Sequence, residues 1–200
     1  MDLANIAAAV STLLAIYSGI PYIRAVLNGK TEPHRLGWLV FTIMNGMVFF
    51  AQYFEGGRIS TLISLTFFIY SLIVFGLSFA KGTSKTSTAD WSLFTFAVLA
   101  TVAWGLTKNN SLAIWLTLLI DLAATSMIIL KVRKRPKSEA MEPWLIGTIA
   151  YAFSCITLHK VPFGILYVRP IYGLLCDGAL VGFIMFYVSS QNRKSFAAKS

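Results

Sequence analysis

Charge is scarce in this chain and acid scarcer still: 12% of its 200 residues are charged, with 17 Lys and Arg against 8 Asp and Glu. With 56% hydrophobic residues and a mean hydropathy of +0.70, this excludes an ordinary soluble domain. Histidine is nearly missing. His34 and His159 are the only two and fall at opposite faces of the expected membrane, so neither a His-rich metal centre nor a Ser-His-Asp set assembles, and no enzyme activity is expected. Cys155 and Cys176 show no CxxC or His spacing, which leaves no metal or redox motif; both read as free thiols acting as small hydrophobes. All ten lysines lie in loops, tails or helix ends, leaving no buried amine for a retinal Schiff base. No cofactor is expected. A positive run before the first apolar stretch is also lacking: Met1-Asp2-Leu3-Ala4-Asn5 does not open like a cleaved signal peptide, so this stretch is expected to stay as a helix.

What the chain does have is apolar length. A membrane-spanning helix needs roughly 20 mostly apolar residues, and candidates fall near residues 3–27, 36–54, 59–80, 91–106, 111–130, 143–159 and 168–190. Seven spans predict an all-α integral membrane protein. The net charge of +9 sorts by side. Alternate loops and ends, from the first connection onward, hold 13 of the 17 basic residues, including Arg24, Lys30, Arg35, Lys81, Lys85, the run Lys131 to Lys137, and Lys199. Only Arg58, Lys108, Lys160 and Arg169 fall in the opposite set. The positive-inside rule then puts the N-terminus outside and the C-terminus in the cytoplasm, as an odd number of spans requires. The basic loops are read as topology determinants touching anionic lipid, with no nucleic-acid partner. The expected location is a multi-pass position in a bacterial inner (plasma) membrane, with a homo-oligomer left open. Trp38, Trp91 and Trp144 fall at predicted cytoplasmic helix starts and Trp104 and Trp115 flank an outer turn, as rings at headgroup level do.

Residues 18–39 and 123–145 repeat one order of features: an apolar helix, basic residues, Lys-Thr-Glu or Lys-Ser-Glu, then a Trp-Leu opening the next helix. Thr31 and Ser138 suit N-caps, Glu32, Glu139 and Glu142 suit the positive helix end, and Pro33 is expected just inside its helix. The repeat predicts a 3+1+3 arrangement of two parallel triple-helix bundles: 1–82 (three spans), a linker helix within 83–108, and 109–200 (three spans and a short cytoplasmic tail).

Pro21, followed nine residues later by Lys30-Thr31, resembles the PQ-loop motif, in which Pro-Gln precedes Lys-Ser by that distance; Tyr22 stands in place of Gln, and Ser126 lies near the proline position of the second copy. In its helix plan the chain is similar to SWEET sugar transporters, the lysosomal cystine and cationic amino-acid exporters, and PnuC-type vitamin transporters. The resemblance implies transport of a small polar solute by alternating access around a midplane site. It also implies a polar residue from the third and the seventh span at that site. Asp177, about two turns from the outer end, matches the seventh-span position, and Thr66 is its counterpart counted from Arg58. SWEET-type pockets use Trp in the second and sixth helices, and none lies deep in those spans here.

Intramembrane acids are functional candidates because burying a carboxylate at a helix centre costs roughly 2.5–3.5 kcal/mol on insertion scales. Asp177 and Asp121 are the two. Asp121 has Thr117 and Thr125 on its own face, which leaves local satisfaction, a proton site and an outer gate all open. Both acids are candidates for proton coupling. Asn45 and Tyr151 occupy matching positions in the second and sixth spans and are expected to face the substrate, or else to hold helices together. Pro21 with Gly19 reads as a hinge or as a static kink. Gly178 and Gly182 are expected to let helices approach closely, and Phe49, Phe50 and Phe153 are candidate pocket walls. The alternative function is a membrane receptor that binds without transport, a role to which the similar plan of the KDEL receptor points.

Overall fold

The computed structural model describes residues 2–29, 33–82, 84, 86–134, 141–160 and 164–197, with backbone alone at 60, 127–128, 130–132, 134, 160 and 191–197. Thr31, Glu32, Ser138 and Glu139, expected at helix starts, lie outside the described residues, as do Lys30, Lys85, Arg135, Lys137 and Lys199. Helices run α1 Leu3–Leu27, α2 Arg35–Phe54, α3 Leu62–Lys81, α4 Thr88–Thr107, α5 Asn110–Lys134, α6 Met141–Ile156 and α7 Val168–Ala197. Short 3-10 turns at Ile59–Thr61, Thr157–Lys160 and Ile165–Tyr167 complete the described elements. Six helices, all but α5, are long and apolar enough to cross a membrane, and α5 contributes a shorter apolar stretch, Asn110–Ser126. The protein is therefore an α-helical, multi-pass membrane protein.

Side-chain hydroxyls explain how so many Ser and Thr fit these helices. Thr12, Ser18, Thr42, Ser71, Ser78, Thr117 and Thr148 each donate to a carbonyl three or four residues back, which satisfies the hydroxyl without water. Helix starts follow capping chemistry. Ser87 and Asp90 form a reciprocal capping box at α4. At α2 the cap is His34, whose Nδ1 accepts from the Gly37 N–H, so Pro33 lies just before the helix and not inside it. The α1 helix continues through Pro21 to Leu27.

Packing sets the plan. Within the first half α3 packs against both α1 and α2, and within the second α7 packs against both α5 and α6. Between the halves α1 packs on α6 and α2 on α5. Followed in order, α1, α3, α2, α5, α7 and α6 close into a ring, with α4 outside it on the α2–α5 seam. The two helices of the α1–α6 seam bury mostly small side chains: Ala4, Ala7, Ala8, Ser11 and Ala15 along α1, and Ala150 and Ser154 along α6. Small residues let backbones approach, the main source of helix attraction where lipid replaces water. α4 buries only Ala97 and Ala100 and exposes Leu99, Val102 and Leu106, a lipid-facing pattern. Its far end is tied in by Trp104 Nε1, which donates to Asn110 Oδ1, while Asn110 Nδ2 donates to Glu55 Oε1.

Gly19 has a packing role. A Cβ at this position would sit 2.7 Å from the Tyr70 ring, so only glycine lets α3 press its tyrosine onto α1. Gly182 does not fit the expected close approach, since a Cβ there would meet nothing within 4 Å, and Gly178 meets only ordinary contact with Thr148. Overpacking the α1–α3 contact should be costly. Gly19→Ala is expected to lower stability by about 1–3 kcal/mol in detergent unfolding, and the cost should shrink in a Tyr70→Ala background; equal cost in both backgrounds would refute the contact.

Candidate functional site

All six ring helices contribute to one cavity of about 390 Å³. It reaches from the middle of the bundle to the first turns of α2 and α6, where His34, Gly37, Pro143 and Trp144 line it. At its deep end α7 supplies Arg169, which is 5% exposed. Arg169 Nη1 donates to Asp121 Oδ2 on α5 at 3.0 Å, and the guanidinium carbon lies 5.9 Å from the Tyr151 ring and 5.7 Å from the Tyr172 ring. Tyr151 in turn stacks on Phe67 of α3, with centroids 5.6 Å apart. One ionic and aromatic layer thus joins α3, α5, α6 and α7. Beyond it Leu166 is buried, and Ile165 and Val168 pack against the core cluster around Met47, Ala51 and Ile114.

The side walls are aromatic. Trp38 Nε1 donates to the Tyr22 hydroxyl at 3.2 Å, and its ring meets Tyr70 edge-on at 5.4 Å and Phe41 at 5.6 Å. Glycine again makes room: a Cβ at Gly173 would fall 2.5 Å from the Tyr151 ring. Asp177 lines the cavity from α7 and has no hydrogen-bond or ion-pair partner among the described residues. Gly147 on α6 lies against it, since a Cβ there would stand 3.0 Å from Asp177 Oδ2. Near the first turn of α2, His34 Nε2 is 3.9 Å from Asp90 Oδ2 of α4. Among the described residues no three His, Cys, Asp or Glu side chains converge to hold a metal ion, and both cysteines are free.

Of the residues expected at the site, the structure brings together Asp177, Asn45, Tyr151 and Asp121 around this cavity. It does not bring Thr66. That hydroxyl donates back to the Leu62 carbonyl, and α3 presents Phe67, Tyr70 and Ser71 instead. The spacing that relates Trp38 to Trp144 and Asn45 to Tyr151 also relates Ser71 to Asp177, and it is Ser71, not Thr66, that lines the cavity. Phe49, Phe50 and Phe153 are not cavity walls, and Pro21 and Gly19 do not line it. Asp121 is not satisfied by its own helix: Thr117 donates to Ile114, and the partner is Arg169.

Three functional residues escaped sequence reasoning. Arg169, read as an outer-end marker, is buried: it lies in the first turn of α7, which packs on the Ile165–Tyr167 turn, and its guanidinium sits among Asp121, Tyr151 and Tyr172. An Arg-Pro opening an apolar run, with an unmatched intramembrane acid elsewhere, was the available signal. Trp38 and Trp144, read as headgroup rings, turn inward to line the cavity. Their identical placement in the two copies was the clue.

The ion pair should behave as a unit. Arg169→Ala leaves the half-buried Asp121 without its partner and is expected to cost up to about 3 kcal/mol of stability, the low end for a buried pair. The Arg169→Met, Asp121→Leu double variant should recover much of that loss; a double variant as unstable as Arg169→Ala would show that the pair does not set this layer. No family model, curated protein or solved structure matches this chain.

Proposed function

We propose that this protein is a membrane transporter or facilitator for a small polar solute, working by alternating access around a midplane site. The observation that carries the reading is the cavity itself: six helices from two halves surround it, it reaches one end of the bundle, and an ion-paired aromatic layer ends it at the other. In this reading α1–α3 and α5–α7 are two parallel triple-helix bundles, joined by α4 as a linker. Their like order of packing, third helix against the other two, supports it. All seven helices span, the N-terminus is outside and the C-terminus cytoplasmic. The burial of Arg169 supports that orientation, because it removes one basic residue from the side poor in them.

The cavity then faces the cytoplasm, and the Arg169–Asp121 layer is the outer closure. Moving the halves about the small-residue α1–α6 seam would open the outer side as the inner one shuts. Asp121 is held by Arg169, so Asp177 is the acid free to exchange a proton or to meet the solute. The likeness to PQ-loop and SWEET-type carriers points the same way, now with Trp38 and Trp144 of α2 and α6 at the cavity.

Two measurements test this. Purified protein in liposomes should carry solute or change internal pH, and Asp177→Ala should abolish the signal; binding with no flux would favour a receptor on the same scaffold. In a background lacking Cys155 and Cys176, Lys134→Cys should react with an impermeant maleimide from the cytoplasmic side alone and Lys108→Cys from the outside alone. The opposite pattern would overturn the orientation.

A further inference from the structure

Resting on the reading of the cavity as a solute site, we infer that its solute is an organic cation, with its ammonium or guanidinium group on Asp177 and an apolar body between the rings of Trp38, Tyr70 and Trp144. The charges inside the cavity decide the sign. Asp121, Asp177 and Arg169 line it, and the one guanidinium is committed to Asp121 and flanked by Tyr151 and Tyr172. Asp177 is the charge left over. An anionic solute would meet that carboxylate with no Lys or second Arg among the described lining residues to offset it, and desolvated like charges are expensive.

Hydrogen-bonding capacity points the same way. The Ser18 and Ser71 hydroxyls, both at the cavity, spend their protons on the carbonyls of Ala15 and Phe68, so what they offer a solute is lone pairs. Asp177 adds a carboxylate that only accepts. These three groups offer acceptors alone, and an ammonium, with three donors and no acceptor, is the group that suits them. The walls complete the match, since the faces of Trp and Tyr rings attract cations most strongly where water is excluded. Gly147 keeps one side of Asp177 open, because any side chain there would press on Oδ2.

Three size-matched probes separate the alternatives: phenethylamine, charged at pH 7 like a lysine side chain, neutral phenethyl alcohol, and anionic phenylacetate. With detergent-purified protein, phenethylamine should raise the unfolding midpoint and bind at least tenfold more tightly by calorimetry than the alcohol, with phenylacetate silent. Asp177→Asn, equal in size, should weaken phenethylamine at least tenfold and leave the alcohol unchanged, a split that loss of packing would not produce. If that variant does not fold, the probe series on the unaltered protein still decides. Equal binding of amine and alcohol, or preference for phenylacetate, overturns the inference. Amine binding without uptake into proteoliposomes upholds it and overturns transport. Uptake of a neutral sugar with no amine binding overturns it and leaves transport standing.

Discussion

The ion pair between Arg169 and Asp121 is the constraint around which the second half of the molecule is arranged. Both groups are largely shielded from solvent, and in low dielectric each would be costly alone, so the two helices that carry them must stay in register. The guanidinium also fixes Tyr151 and Tyr172 beside it, and through Tyr151 it reaches Phe67 in the first half. A single charged contact therefore ties both halves together at one end of the cavity. By consuming Arg169 it also leaves Asp177 as the unmatched charge facing the interior.

Around that pair, packing works by exchange of glycine for ring. Tyr70 sits over Gly19 and Tyr151 over Gly173, so each half uses an absent Cβ to seat one tyrosine of the inner wall. The smallness of the α1–α6 seam has a related effect, since a contact of Ala and Ser holds two helices close with little interlocking. The α2–α5 seam is different, filled by Met47, Ile114 and Ile120 and covered by α4. One side of the ring is smooth and the other keyed, a difference that the proposed rocking of the halves would use.

The spans were legible because hydrocarbon demands long apolar helices: the expected ranges match the observed helices within a few residues, apart from α7, which continues to Ala197. Asp177, Asn45, Tyr151 and Asp121 were also readable as cavity residues, because polar groups in apolar helices turn inward. Other positions were not. Thr66 and Ser71 are both hydroxyl residues that bond back to their own helix, so chemistry alone does not rank them; the rotation of α3 does. Trp38 and Trp144 suit a headgroup as well as a cavity, since the same ring fits both. Arg169 looked like a loop residue because depth in the bundle is not encoded in its neighbours.

What the sequence determined by itself is the class of molecule. Hydropathy, scarce charge and a doubled pattern require helices across a bilayer, and sorted basic residues bias their direction, because each effect acts segment by segment. Only tertiary structure decided which acid is spent and which is free. That outcome depends on where one arginine side chain ends, on the α5–α7 contact that brings it beside Asp121, and on the ring order that puts Asp177 and the aromatic wall around one cavity. Pairing between residues 48 apart in the chain is a property of packing geometry, and no local pattern contains it.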